Sequence, residues 1–259
     1  MPLATKPLPF MWYELMTTDA KASIDFYTRV LGWKAAPAGM GPVEYTILSV
    51  GDRGIGGVFT LTEKMCSEGA RPCWVGYVGV PDVDAYSERV KALGGAVHVG
   101  PMDLPEVGRF SMASDPHGAA FVLFKPVSTD SLPELSARTP GAIGWHELHA
   151  GDGPEAWTFY SELFGWTKGP AMDMGAMGVY QIFAAGGEDI GGMMTRMPQA
   201  PMPFWLYYVT VDGLDAATQR ALDAGGKVLH GPMEVPGPMY VMQMFDPVGA
   251  VFAMVSDRR

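Results

Sequence analysis

The chain has 259 residues, 48% of them hydrophobic and 18% charged, enough for two globular domains with real cores. Twenty-eight acidic against eighteen basic side chains give a formal charge of −10, and no Lys/Arg cluster offsets it, which argues against nucleic acid and anionic membranes as partners. The two cysteines, Cys66 and Cys73, read as free thiols of a reducing compartment rather than a disulfide framework, and two thiols alone make a poor metal site.

Residues Met1 to Pro9 carry three prolines and no long apolar run, so no secretory signal is read there. No stretch approaches the length of a membrane span, and a cytoplasmic protein is the expectation. A strand is expected over Trp12–Thr17, where aromatic and β-branched residues gather. A helix follows, with Asp19 as N-cap, Ala20, Ile24, Tyr27 and Leu31 on its apolar face, and Gly32 at the C′ position. Strands are then expected over Tyr45–Val50, Gly57–Thr60 and Trp74–Val80, a helix over about Val83–Leu93, and strands over Ala96–Val99, Arg109–Ala113 and Ala120–Phe124. Residues 127–140 hold Ser, Thr, Asp and two prolines without an apolar period, and read as a linker.

The second half opens with a strand over Trp145–Ala150 and a helix from near Asp152, with Pro154 in its first turn and Trp157, Tyr160, Leu163 and Phe164 as its buried face. Strands over Tyr180–Ala184, Gly192–Thr195 and Trp205–Val211, a helix over about Leu214–Leu222, and strands over Lys227–Leu229, Tyr240–Phe245 and Val251–Val255 complete it. The halves repeat each other. Trp12-Tyr13-Glu14-Leu15 returns as Trp145-His146-Glu147-Leu148, Phe26-Tyr27 and Leu31-Gly32-Trp33 as Phe159-Tyr160 and Phe164-Gly165-Trp166. Trp74 returns as Trp205, and Asp115-Pro116 as Asp246-Pro247, all at a near-constant offset. One fold is used twice, each copy being too large for a solenoid unit. Gly32 and Gly94, like Gly165 and Gly225, divide each copy further into two strand–helix–strand–strand–strand modules.

Paired βαβββ modules carrying Leu15-x-Thr17-x-Asp19, Phe26-Tyr27, Leu31-Gly32-Trp33 and Asp115-Pro116-His117-Gly118, matched by Leu148, Asp152, Phe159-Tyr160 and Asp246-Pro247-Val248-Gly249, resemble the vicinal oxygen chelate superfamily. That group includes glyoxalase I, bleomycin-resistance proteins and extradiol dioxygenases. The resemblance implies an α+β fold of two glyoxalase-like domains, 8–126 and 141–259, each a curved mixed sheet around a cup, joined by the linker 127–140. It also implies where metal-using members would place their ligands: Trp12, Val75 and Val122 in the first copy, Trp145, Leu206 and Ala253 in the second. None of these offers imidazole, carboxylate or thiolate, so no metal and no other cofactor is expected.

Strand alternation puts Trp12, Glu14 and Met16 on one face of the first strand, and Trp145, Glu147 and His149 on the corresponding face of the second copy. Tyr77, Val122, Phe124 and Tyr208 are expected to line the same cups, giving an apolar, aromatic surface with a recurrent carboxylate. Glu14 and Glu147 suit either a general base or a ligand anchor, and equally a structural hydrogen bond to a phenol such as Tyr77 or Tyr208. His149 has no partner in the first copy and sits two residues from Glu147, as an acid–base pair, half a metal site or a satisfied core histidine. His98 and His117 read as structural, and Arg109 as a rim salt bridge ahead of an anion anchor. Nineteen methionines, with Met172, Met174 and Met177 in one Gly-rich loop and Met193, Met194, Met197 and Met202 following, slightly favour an adaptable binding surface. No nucleophile elbow or phosphate-binding glycine loop is present.

Three functions compete. The first is a protein that binds a small hydrophobic or aromatic molecule without metal. The second is an enzyme of lyase, isomerase or dioxygenase type, with Glu14 or Glu147 and His149 in acid–base roles. The third is a metal enzyme using displaced ligands around Glu147 and His149. The expected partner is a small molecule; the domains are expected to pair within the chain, with further oligomerisation left open.

Overall fold

The computed structural model describes residues 6–39, 44–128 and 135–259; the reading of the first five residues and the middle of the linker reading, 129–134, lie outside these. In the first half come β1 (Phe10–Thr17), α1 (Ala20–Leu31), β2 (Lys34–Pro37), β3 (Tyr45–Val50), β4 (Arg53–Thr60), the short α2 (Glu63–Ser67), β5 (Cys73–Gly79), α3 (Val83–Ala92), β6 (Ala96–Leu104), β7 (Gly108–Ser114) and β8 (Ala120–Pro126). The second half supplies β9 (Ile143–Ala150), α4 (Gly153–Phe164), β10 (Thr167–Asp173), β11 (Val179–Ala185), β12 (Glu188–Thr195), β13 (Phe204–Thr210), α5 (Leu214–Asp223), β14 (Lys227–Val235), β15 (Met239–Phe245) and β16 (Val251–Ser256). The strands form two eight-stranded sheets of identical order, β2-β3-β4-β1-β5-β8-β7-β6 and β10-β11-β12-β9-β13-β16-β15-β14. β1 runs parallel to β4 and β9 to β12, while the hairpin strands pair antiparallel, so the α+β fold with mixed sheets holds.

Helix ends follow the sequence signals. The Asp19 carboxylate accepts from the Ala22 amide and that of Asp152 from the Glu155 amide, both at 2.9 Å, while Gly32 and Gly165 close their helices at φ 70° and 71°. The buried faces differ from expectation. In α1 they are Ser23, Phe26, Tyr27, Val30 and Leu31, with Ala20 and Ile24 at the margin, because the aromatic Phe26 carries more area into the core than either. In α4, Phe159 is buried and Trp157 only half-buried, its ring lying under the Lys168 ammonium at 5.4 Å.

Packing divides the chain into two compact units. The first comprises Met1–Trp12, Gly76–Ser131 and His146–Trp205. Here α3 packs on α4, with Arg89 2.8 Å from Glu162. The Trp205 indole donates to the Tyr160 hydroxyl at 3.1 Å, and that hydroxyl donates to Asp115 at 3.3 Å. Asp115 in turn accepts from the amides of His117 and Ala119. The second unit comprises Tyr13–Val75, Leu132–Trp145 and Leu206–Arg259, with α1 against α5 and the Arg220 guanidinium donating to the Val30 carbonyl. The Trp74 indole donates to Tyr27 at 2.8 Å, and Asp246 accepts from the amides of Val248, Gly249 and Ala250. Burial first, and then the charge of Asp246, push the Tyr27 phenol well above its ordinary range. The repeated tyrosine, tryptophan and Asp-Pro positions are therefore struts. In each unit the helix tyrosine of one half faces the Asp-Pro turn of the other.

Candidate functional site

Alternation along β1 and β9 decides which side chains stay reachable. Tyr13, Leu15 and Thr17 are buried while Trp12, Glu14 and Met16 keep partial exposure; Trp145 and His149 do likewise, and Glu147 is 9% exposed. Within the first unit β12 pairs with β9 in parallel register, Gly192 with Glu147 and Met194 with His149, so these pairs share one sheet face.

Around Glu147 the polar groups converge. One carboxylate oxygen, Oε2, accepts from the Tyr180 hydroxyl at 3.0 Å. The other, Oε1, lies 2.9 Å from His149 Nε2, an ion-pair distance whose approach is off the line of a hydrogen bond. The His149 ring stacks on Phe204 at 4.5 Å and 8°. Tyr180 reaches the carboxylate because position 192 has no side chain: a Cβ there would meet the phenol ring atoms at 2.1–2.3 Å. The device recurs in the second unit, where Gly57 is the register partner of Glu14 and a Cβ on Gly57 would meet the Tyr45 hydroxyl at 2.1 Å. There Met16 stands where His149 stands in the other copy.

Next to Glu147 but on the opposite face, His146 is buried. Its Nδ1–H donates to the Ile190 carbonyl at 2.6 Å and its ring stacks on Phe10 at 4.3 Å. Burial lowers its pKa from 6.5 to about 4, with the Ile190 carbonyl acting in the opposite direction. The imidazole is neutral at pH 7.

The other expected site residues are placed as follows. In the first unit Tyr77 and Val122 are register partners, and Tyr77 meets Phe124 edge-on at 5.7 Å. In the second, Tyr208 accepts from the Gln243 amide at 2.8 Å, and Cys73 is an exposed free cysteine. Tyr180, which donates to Glu147, is a residue that pattern reading left as an ordinary strand position. Arg109 bridges Asp84 and Asp103 at the rim, His98 meets Ser114, and His117 pairs with Glu155. Met193 and Met194 are core residues of β12, and Met172 lies in β10 rather than in the expected loop, whereas Met174, Met177 and Met202 are exposed. A void of about 10 Å³ among Tyr27, Trp33, Trp74 and Phe252 in the second unit has room for about one water and bears no chemistry.

The positions that hold metal in the resembled family do not fit one here. Val75, Val122, Leu206 and Ala253 are buried apolar side chains, and Trp12 and Trp145 offer no donor to a divalent cation. Among the described residues no three His, Cys, Asp or Glu side chains gather around a common point suited to a metal.

The family model of the Glyoxalase/Bleomycin resistance protein/Dioxygenase superfamily matches the chain twice, over residues 10–123 and 142–254. The candidate glyoxylase CFP32 of Mycobacterium tuberculosis is 31% identical over 94% of this chain and 93% of its own length. The anthracycline biosynthesis protein DauV of Streptomyces sp. strain C5 is 30% identical over 95% and 92%. In fold the chain is similar to the Mn(II)-bound glyoxalase from Novosphingobium aromaticivorans (TM-score 0.68, 16% identity, 98% of this chain and 83% of that one). It is similar also to homoprotocatechuate 2,3-dioxygenase from Brevibacterium fuscum (TM-score 0.67, 14% identity, the same coverage).

Proposed function

The chain belongs to the glyoxalase/bleomycin resistance protein/dioxygenase superfamily, and on that footing we propose that it binds a small, flat hydrophobic or aromatic molecule without the metal that members such as the Mn(II)-bound glyoxalase hold. The observation that carries this reading is the Tyr180–Glu147–His149 group set beside Phe204. It offers a few oriented polar atoms against an aromatic wall, the usual make-up of a small-molecule site. The apolar residues at the six metal positions support a metal-free mode, and no organic cofactor is invoked. The relatives named for anthracycline biosynthesis support a ligand with a flat aromatic body.

An acid–base enzyme is the second reading, favoured by one observation, the 2.9 Å approach of His149 to Glu147. A general base held by a carboxylate is a recurrent catalytic arrangement. The test is a thermal-shift screen of aromatic and dicarbonyl compounds, paired with native mass spectrometry of the purified protein. A ligand that raises Tm in a saturable manner, or that travels with the protein, supports binding. Its chemical fate on incubation separates binder from enzyme. A screen in which no aromatic or dicarbonyl compound raises Tm contradicts the proposal.

A further inference from the structure

We infer that His149, rather than Glu147, is the side chain that meets the ligand, and that the ligand is a weakly acidic hydroxyaromatic compound whose proton passes to His149 Nδ1. This rests on the binding role proposed above and assigns the substrate class and the division of labour within that site.

Glu147 Oε2 accepts from Tyr180 and Oε1 lies 2.9 Å from the His149 edge, while the two side chains are about equally open, 12% for Glu147 and 13% for His149. The two nitrogens of His149 differ. Its Nε2 is sealed from solvent and held against the carboxylate. Its Nδ1 carries no hydrogen bond among the described residues and is not sealed, so it belongs to the 13% of the side chain that stays open. With its proton on Nε2, the side that faces the carboxylate, the imidazole presents a lone pair at Nδ1. The free atom of the group is therefore a base, and Glu147 and Tyr180 are positioning residues behind it.

The surroundings match a flat aromatic partner. Phe204 and the imidazole lie parallel, which fixes the ring plane, and the neighbouring strands add soft side chains. Met194 is the register partner of His149, and Met172 that of Tyr180. Thioethers take favourable contacts with aromatic edges. The proton transfer is self-contained: the ligand O–H bond breaks and its electron pair stays on oxygen. The proton forms an N–H bond at Nδ1, and the imidazolium so made has the Glu147 carboxylate at its other nitrogen and the phenolate at its first. No oxidant, metal or second substrate is consumed. The first copy, with Met16 in place of His149, lacks the base.

4-Nitrophenol and its methyl ether 4-nitroanisole test this directly, since the phenolate absorbs at longer wavelength than the phenol and the ether has no proton to give. At a pH about one unit below the ionisation of free 4-nitrophenol, titration of the intact protein is expected to raise the phenolate band in a saturable manner, with the ether bound about tenfold more weakly, the effect of roughly 1.4 kcal/mol. His149→Gln is expected to abolish the band, and Glu147→Gln to lower it several-fold while still binding the neutral phenol. Circular dichroism and Tm check that both variants fold. If His149→Gln does not fold, His149→Phe, which can keep the stack on Phe204, takes its place, and a phenolate band that survives that change overturns the inference. Equal binding of phenol and ether with no phenolate band overturns the inference and leaves the binding role standing. Failure of both probes to bind overturns the two together.

Discussion

Acid should loosen the first unit through His146. Its pKa falls from 6.5 to about 4 on folding, so at 1.36 kcal/mol per pH unit the folded protein resists protonation by about 3 kcal/mol. The sign follows from proton counting. Between pH 6.5 and 4 the unfolded chain carries the proton and the folded one does not, so this stability is complete above pH 6.5 and is lost as pH falls towards 4. By pH 5 the loss from this residue amounts to about 2 kcal/mol, or roughly 4–8 °C in Tm for a chain of this size. Asp246, whose carboxyl burial raises, acts in the opposite sense and gains stability as pH falls, so a control is needed. His146→Phe keeps the stack on Phe10 and removes the titration, at a cost of about 1 kcal/mol near pH 7.5 for the Ile190 carbonyl left without its donor. Both proteins carry Asp246, so its contribution cancels. Tm measured from pH 7.5 to 4.5 should show wild type above the variant at neutral pH and below it near pH 5. Parallel curves would refute the assignment of acid sensitivity to this imidazole.

Further outcomes follow from the same contacts. Gly192→Ala places a methyl against the Tyr180 ring and should cost about 1–3 kcal/mol in chemical denaturation, and Gly57→Ala should do the same through Tyr45. Tyr180→Phe removes the donor to Glu147 and should cost about 1–2 kcal/mol, read as a lower denaturation midpoint with an unchanged slope. Trp205→Phe loses the indole bond to Tyr160 and should lower Tm, while Arg109→Ala, which removes an exposed bridge, should leave Tm nearly unchanged.

Much of the scaffold was legible because local chemistry decides it. Asp19 and Asp152 as caps, Gly32 and Gly165 as terminators, and the duplicated Trp-x-Glu strands need only neighbouring residues to be recognised. The strands β2 (Lys-Ala-Ala-Pro) and β10 were not foreseen, since both are largely exposed and carry no alternation. The site was legible on β9 alone. Glu147 and His149 share a face by period-two alternation, but Tyr180 and Phe204 join them through sheet register and packing, which no local pattern records. The clue available was a glycine: Gly57 and Gly192 recur inside strands, and a strand glycine marks a close approach by something else. Equally, the repeated Phe-Tyr and Asp-Pro residues served to recognise the fold, while their bonding into struts such as Trp205–Tyr160–Asp115 required the tertiary structure.

Metal-free binding beside Glu147 and His149 is tested most directly by titrating the protein with 4-nitrophenol before and after dialysis against EDTA, with metal content measured on the same sample. Saturable binding unchanged by the chelator, and less than stoichiometric Zn, Ni, Fe or Mn, is the predicted result. Binding that disappears with EDTA and returns with Mn(II), at about one tightly held ion per chain, would contradict it.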